Sequence, residues 1–269
     1  MKRVAAAALL LMALCALAGP WIAPGGGQLQ FREHIGEAPS RDFLLGTDSL
    51  GRDRFARLLS GARISLILAP SAALLAVLLG AVIGISAGVR GGWVARALSI
   101  ACDLTLALPW YFLLLTLRAF MPIDVAPGIS LLVTFALLGL LGWAGPARVV
   151  RVGAQAALRS AHILAVRARG ASPARVVFGH LLPELAPILA GQFLALAPVF
   201  LLAEANLGLL GLGVSEPMAS WGNLLKELEP VAVAGPAALL QFWWMLAPLV
   251  CLLVSTGSLF ILAPGEVAS

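Results

Sequence analysis

The chain has 269 residues, of which 61% are hydrophobic and only 12% charged, about half the charged share of an ordinary soluble domain. That is too little polar surface to cover a water-soluble globule and too much apolar content for a disordered chain, while Gly and Pro without a short period exclude collagen-like repeats. The formal net charge of +5 rests on few ionisable groups, which points to a basic loop facing anionic lipid or a protein partner, with no nucleic-acid partner.

A helix of about 20 apolar residues crosses a hydrocarbon core about 30 Å thick. Six runs reach or approach that length: residues 4–22, 64–89, 97–117, 127–144, 188–214 and 237–262, the fourth being the shortest. Lipid offers no partners to free backbone groups, so helices are preferred. Barrel strands would alternate, and Leu9-Leu10-Leu11-Met12 does not. The predicted fold is therefore all-α and polytopic, with six transmembrane helices.

The first run has a second reading. Lys2-Arg3, an apolar stretch and Ala16-Leu17-Ala18 resemble a signal peptide, although the apolar stretch is longer than such a region needs, which favours a retained span. The loop of residues 24–63 has six Arg against five acids. Within it Phe55, Leu58, Leu59 and Ala62 fall on one helical face, with Arg52, Arg57 and Arg63 elsewhere. This predicts a short interfacial helix, capped by Thr47 or Asp48, leading into the second span. Only two charges lie inside the runs, Asp103 and Glu204. Asp103 is expected to pair with Arg96, and Glu204 to form a structural hydrogen bond or to touch what crosses.

Arg148, Arg151, Arg159, Arg167, Arg169 and Arg175 follow the fourth run, with no Asp or Glu between residues 144 and 183. That is the strongest cytoplasmic signal in the chain, and it places both termini in the cytoplasm, in agreement with Lys2-Arg3. The loop 121–126 offers only Asp124, and 215–230 sets Lys226 against Glu216, Glu227 and Glu229, as suits the outer side. The basic loop reads as one helix over 155–169 stopped by Gly170, then a second capped by Ser172 with Pro173 at its first position. Pro183 and Pro187 are expected to break the chain again. The domain organisation is thus a first transmembrane helix over 1–23, an extracytoplasmic loop over 24–63, and a core over 64–269 with five spans and a cytoplasmic loop at 145–187. Cys15, Cys102 and Cys251 sit in apolar runs and read as small buried hydrophobes. No metal-ligand spacing and no catalytic constellation is present, so neither a cofactor nor an enzyme is expected.

Several stretches go beyond composition. Gly46-Thr47-Asp48-Ser49-Leu50-Gly51-Arg52-Asp53, followed by Arg57-Leu58-Leu59 and Gly61-Ala62-Arg63-Ile64-Ser65-Leu66, resembles the signature of the peptide/nickel branch of ABC importer permeases, the C-type inner-membrane subunits. Trp143 with Ala147-Arg148 and Arg151 is similar to the end of that family's fourth span. Arg167-Ala168-Arg169-Gly170-Ala171-Ser172 with His180-Leu181-Leu182-Pro183 resembles its cytoplasmic coupling loop. Glu204-Ala205-Asn206-Leu207 through Gly211-Leu212-Gly213-Val214, with Pro217 and Ser220-Trp221-Gly222, resembles its fifth span and the loop after it.

The resemblance implies an ABC type I importer permease fold and ATP-driven uptake of peptides or a related small solute, nickel included. It also implies four kinds of partner: a homologous second permease, two ATPase subunits that bind the ATP, an extracytoplasmic substrate-binding protein, and the bilayer. Arg167, Ala168, Gly170 and Ala171 would contact the ATPase. Glu204, Gly211 and Gly213 would shape the translocation path. The chain has no phosphate-binding Gly-x-x-x-x-Gly-Lys-Ser/Thr loop of its own. It departs from the family in two places: Leu164 stands where the coupling loop carries Glu, and the Asn-rich turn with Gly-Asp is missing after Ser255-Thr256-Gly257-Ser258. Those departures keep a membrane scaffold or non-transporting paralogue as the alternative, with a self-sufficient carrier behind it.

Overall fold

The computed structural model describes every residue except 24, 26, 123, 124 and 264–269, so Asp124 lies outside the described residues. Among the described residues there are helices and two isolated bridges, Gln30 to Arg52 and Thr47 to Asp53, but no strand. Helix α1 (Lys2–Ile22) packs on α2 (Arg54–Arg63) and on the last helix; Gly19 brings its backbone against Leu59. Helix α2 runs through a π-turn at Ile64–Leu68 straight into α3 (Ala69–Arg90). The predicted amphipathic helix exists, but its polar face is misjudged: Arg57 is fully buried and Arg52 nearly so. Its cap is Asp53, whose Oδ1 accepts the Phe55 N–H at 2.8 Å, rather than Thr47 or Asp48.

The third run is bent by 71° between α4 (Gly92–Ala107) and α5 (Trp110–Ala119). Pro109 sits at the break, where it forces its neighbour Leu108 to extended backbone. The fourth run continues past its predicted end: α6 (Pro127–Leu141) turns at Gly142 into α7 (Ala144–Ala157). Helix α7 lies against α3, where Gly80, Gly84 and Gly88 face Pro146, Ala147, Val150 and Ala154. A Cβ at Gly84 would lie 2.6 Å from the Ala147 carbonyl oxygen. Small residues four apart let the two backbones meet. The same packing corrects the pairing of Asp103. Its partner is Arg148, while Arg151 bonds Ser99, because α7 presents these arginines across the interface to α4. Arg96, seven residues back, is about 10 Å away along the axis.

The helix predicted over 155–169 is divided. Helix α7 ends at Ala157, and Ser160 caps a new helix, α8 (Ala161–Ala168). Ser172 then caps α9 (Pro173–Val176) with Pro173 at its first position, as read from sequence. The expected breaks at Pro183 and Pro187 do not occur. From α9 the chain passes through a second π-turn, Val177–Leu181, into α10 (Leu182–Leu209), giving one helical rod over Pro173–Leu209. Both π-turns end two residues before a proline, Pro70 and Pro183. A proline lacks the N–H for the carbonyl four residues back and crowds it; widening that turn relieves the clash without stopping the helix.

Helix α10 ends at Leu209, short of the predicted 214, in a turn where Gly211 has φ +74°. After it come α11 (Trp221–Lys226), α12 (Glu229–Val233) and α13 (Pro236–Gln241). The sixth run is interrupted at Phe242 before a 3-10 turn, Trp243–Leu246, and α14 (Ala247–Leu262). Five helical stretches are long and apolar enough to cross a bilayer, and the bent pair α4–α5 makes a sixth. The main core joins α1, α3, α6, α10, α11 and α14; a smaller one joins α7, α8, the second π-turn and the start of α10. Cys102 is buried and Cys251 half-buried, but Cys15 is exposed rather than packed in the core.

Candidate functional site

Two sites stand at opposite ends of the bundle. The first is built by the signature stretch. Gly46 and Gly51 have φ of +68° and +71°, each with its α-carbon against a backbone carbonyl, of Glu37 and Phe31 respectively, so no side chain fits. Thr47 Oγ1 donates to the His34 carbonyl and accepts the Glu37 N–H at 2.9 Å. Asp48 Oδ1 accepts the N–H groups of Leu50 and Arg52, both at 2.8 Å, and its Oδ2 takes the Arg52 Nε at 2.6 Å.

From there the charges reach across to the segment after α10. Arg52 Nη1 lies 2.6 Å from Glu216 Oε2, Arg57 Nη2 lies 3.0 Å from Glu216 Oε1 and 3.4 Å from Glu227 Oε1, and Arg54 Nη1 lies 2.8 Å from Glu227 Oε2. Three guanidinium groups thus balance Asp48, Glu216 and Glu227, clamping the entry to the second span onto the exit of the fifth. Burial pushes the Asp48 carboxyl up, but the Arg52 N–H, the Arg52 guanidinium and the Leu50 N–H outweigh it and hold it below its ordinary value. Glu216 follows the same balance, with Arg57 and Arg52 overcoming burial. Glu227 goes the other way: burial outweighs Arg54 and Arg57 and holds it above. Sequence reading found Asp48 and Arg52 but missed Arg57, Glu216 and Glu227 as their partners, because nothing local links positions so far apart.

The second site is the basic elbow. Gly170 has φ +79° and nothing near its missing side chain; its N–H bonds the Arg167 carbonyl, while the Ala171 N–H reaches the Val166 carbonyl. This is the helix-ending motif that glycine favours. Ile163, Val166, Val176 and Leu181 face the small core. Arg167, Ala168 and Gly170 face outward with Leu164 and Phe178, which are 51% and 71% exposed, and Ala171 is half-buried. Arg167 makes no ion pair among the described residues.

The residues expected to shape a path are not brought together. Glu204 is fully buried between helices, its carboxylate bonded by the hydroxyls of Ser65 (3.1 Å) and Ser220, where Gly208 and Gly222 let α10 and α11 meet at backbone distance. Gly211 and Gly213 instead line an open cavity of about 660 Å³ with Arg118, Ser130, Asn223 and Lys226. Arg118, at the end of α5 and missed in the sequence, shapes that wall: its Nε donates to the Leu212 carbonyl at 2.8 Å, and its Nη2 to Ser130 Oγ at 3.0 Å and to the Gly213 carbonyl.

Comparison with known proteins agrees with this architecture. Residues 80–263 match the family described as "Binding-protein-dependent transport system inner membrane component". The chain is 32% identical over 238 residues to the dipeptide transport system permease protein DppC of Bacillus subtilis (strain 168), covering 88% of this chain and 71% of that protein. It is 31% identical over 266 residues to the di/tripeptide transport system permease protein DppC of Pseudomonas aeruginosa (strain UCBPP-PA14), covering 96% and 83%. To the oligopeptide transport system permease protein OppC of B. subtilis it is 32% identical over 198 residues, covering 74% and 63%. With its apolar spans, its outward elbow and these relatives, the chain belongs to the binding-protein-dependent transport system inner membrane components, as a multi-pass inner-membrane permease of the ABC peptide-importer type.

Proposed function

We propose that this chain is one of two homologous permease subunits of an ATP-driven importer that takes up peptides. The relatives named for dipeptides and oligopeptides support the substrate class. In this reading an extracytoplasmic binding protein delivers the peptide, and two ATPase subunits bind and hydrolyse ATP beneath. The observation that carries it is the elbow: a rigid corner at Gly170, backed by its own core, with Arg167, Ala168, Leu164 and Phe178 turned outward at the root of the α9–α10 rod. Closure of the ATPase pair pushes on that corner, and the rod carries the push into the bundle. The two facing states differ by little free energy, so the ATPase cycle biases them. Leu164, where the resembling loop carries Glu, makes the contact apolar at that point, with Arg167 supplying the charge.

The test is Gly170→Trp in the reconstituted four-component complex. A side chain at φ +79° is strained wherever it points, so uptake is expected to fall at least tenfold while the protein stays in the membrane and binding-protein-stimulated ATP hydrolysis runs uncoupled. Unchanged uptake refutes the docking role. Uptake by the purified chain alone in liposomes would support a self-sufficient carrier. Failure to co-purify with any ATPase would support a scaffold.

A further inference from the structure

We infer that His162 and His180 form a divalent transition-metal site that ties α8 to the π-turn at the root of α10. These two histidines are 18 residues apart in sequence, yet His162 Nε2 lies 3.2 Å from His180 Nδ1. Their ring centroids are 5.2 Å apart, and the rings are tilted 66° to each other. Two imidazole nitrogens bound at ~2.05 Å to one tetrahedral ion are about 3.3 Å apart, and their ring centres, about 1.1 Å further back along each bond, are about 5.2 Å apart. Both spacings therefore suit a shared ion without movement of the backbone.

The local fold explains why the rings meet. The π-turn over Val177–Leu181 inserts an extra residue into the helical register, which rotates His180 by roughly 100° relative to a continuous α-helix entering α10. Ile163 and Val166 anchor α8 in the small core; His162, on the same face one turn before Val166 and in the first turn of the helix, stands exposed at the rim of that core. His180 is half-buried, so the pair opens to solvent and an ion has a path in. No third His, Cys, Asp or Glu joins them among the described residues. Water completes the coordination, and the elbow's arginines oppose a cation, so the site is loose and exchangeable. It takes an imidazole-seeking ion such as Zn²⁺ or Co²⁺, not Ca²⁺ or Mg²⁺.

The experiment uses the purified full chain in detergent with Co²⁺ as the optical probe and Zn²⁺ as competitor. The expected result is a visible absorption band saturating at one Co²⁺ per chain, erased by Zn²⁺, and weakened about tenfold or more in affinity by His162→Gln or by His180→Gln alone. His34, the third histidine, pairs with Glu37 far from the elbow; His34→Gln is expected to leave the band intact. Both elbow variants leave the buried residues of α8 untouched, and unchanged thermal unfolding confirms that they fold. No band in the unaltered chain, or a band that survives in both elbow variants, overturns the site. Because binding is read on the chain alone, its failure is separate from failure of ATPase docking.

Discussion

Arg57→Met probes the clamp directly. Arg57 is fully buried, and its guanidinium faces Glu216, Glu227 and, at 3.7 Å, Asp48. Methionine keeps most of the volume and removes the charge. Breaking a buried pair by deleting one partner costs about 3–5 kcal/mol, because a charge is left uncompensated. Here Asp48 keeps Arg52, Glu227 keeps Arg54, and the Glu216 side chain is 53% exposed and reaches water. Those remaining partners place the expected loss at the low end, about 3 kcal/mol, or roughly a hundredfold in the folded-to-unfolded ratio. Reversible unfolding of the purified chain in mixed micelles of increasing SDS measures it. Adding Glu216→Gln restores the balance of charge and is expected to recover about 1 kcal/mol in a double-mutant cycle. If Arg57→Met unfolds within 0.5 kcal/mol of the parent chain, a value set by ordinary surface substitutions (~0.5 kcal/mol), or if the second change recovers nothing, the clamp is not an electrostatic unit.

Glu204→Gln keeps the size and the acceptor for Ser65, so it is expected to leave stability and uptake within about twofold, whereas Glu204→Ala, which opens a hole beside Ser65 and Ser220, costs about 2–3 kcal/mol; a large loss of uptake in a stable Gln variant would return Glu204 to the transport path. Gly84→Leu drives a side chain into the Ala147 backbone, so a loss of at least 3 kcal/mol or failure to insert is expected by the same SDS assay, and a well-folded variant would show that α3 and α7 do not meet there. Stability against pH separates the carboxylates. Asp48 and Glu216 are held low in the folded chain, so their contribution is complete above the usual carboxylate range, about pH 4, and is lost as pH falls through their folded values. Glu227 is held high, so it favours folding on the acid side and that contribution fades as pH rises through its folded value; Glu227→Gln is expected to remove this upper limb and leave the acid loss in place.

The spans were legible because hydropathy over twenty residues is a local property, and Gly170, Ser172 and Pro173 act on their own neighbours. What stayed hidden depends on where distant segments land. Arg57 reads as a solvated charge until Glu216 and Glu227, about 160 residues later, are known to lie beside it. Pro183 and Pro187 read as breaks because the π-turn that absorbs Pro183 has no sequence mark of its own. Asp103 finds Arg148 rather than Arg96 because a helix interface outranks a partner two turns away on the same helix. Gly80, Gly84 and Gly88, spaced four apart, are a local signal for the α3–α7 contact. At the elbow the Gly170 corner is local and shows in the sequence, while the His162–His180 pair lies 18 residues apart and matches no ligand spacing.

The elbow and the clamp are joined by one stiff element. The rod over Pro173–Leu209 has 37 residues, about 55 Å at 1.5 Å per residue, well beyond the ~30 Å of hydrocarbon. Its start carries the elbow, and its end meets α11 at Gly208 and Gly222, beside Lys226 and Glu227. Displacing the elbow must therefore either carry α2 along with the rod or part the clamp. Within the clamp the pairs differ in how easily they part. Asp48 and Arg52 are both buried and neighbours in sequence, so separating them leaves two dry charges. Glu216 is half in water, so when its two arginine pairs open its carboxylate returns to solvent, while Arg52 keeps Asp48 and Arg57 keeps Glu227. The joint that yields is then at Glu216. Cysteines at positions 52 and 216 joined by a short bifunctional reagent are expected to arrest uptake, and cysteines at 48 and 52 joined the same way to leave it running; uptake that survives the 52–216 link would show that rod and clamp move as one body.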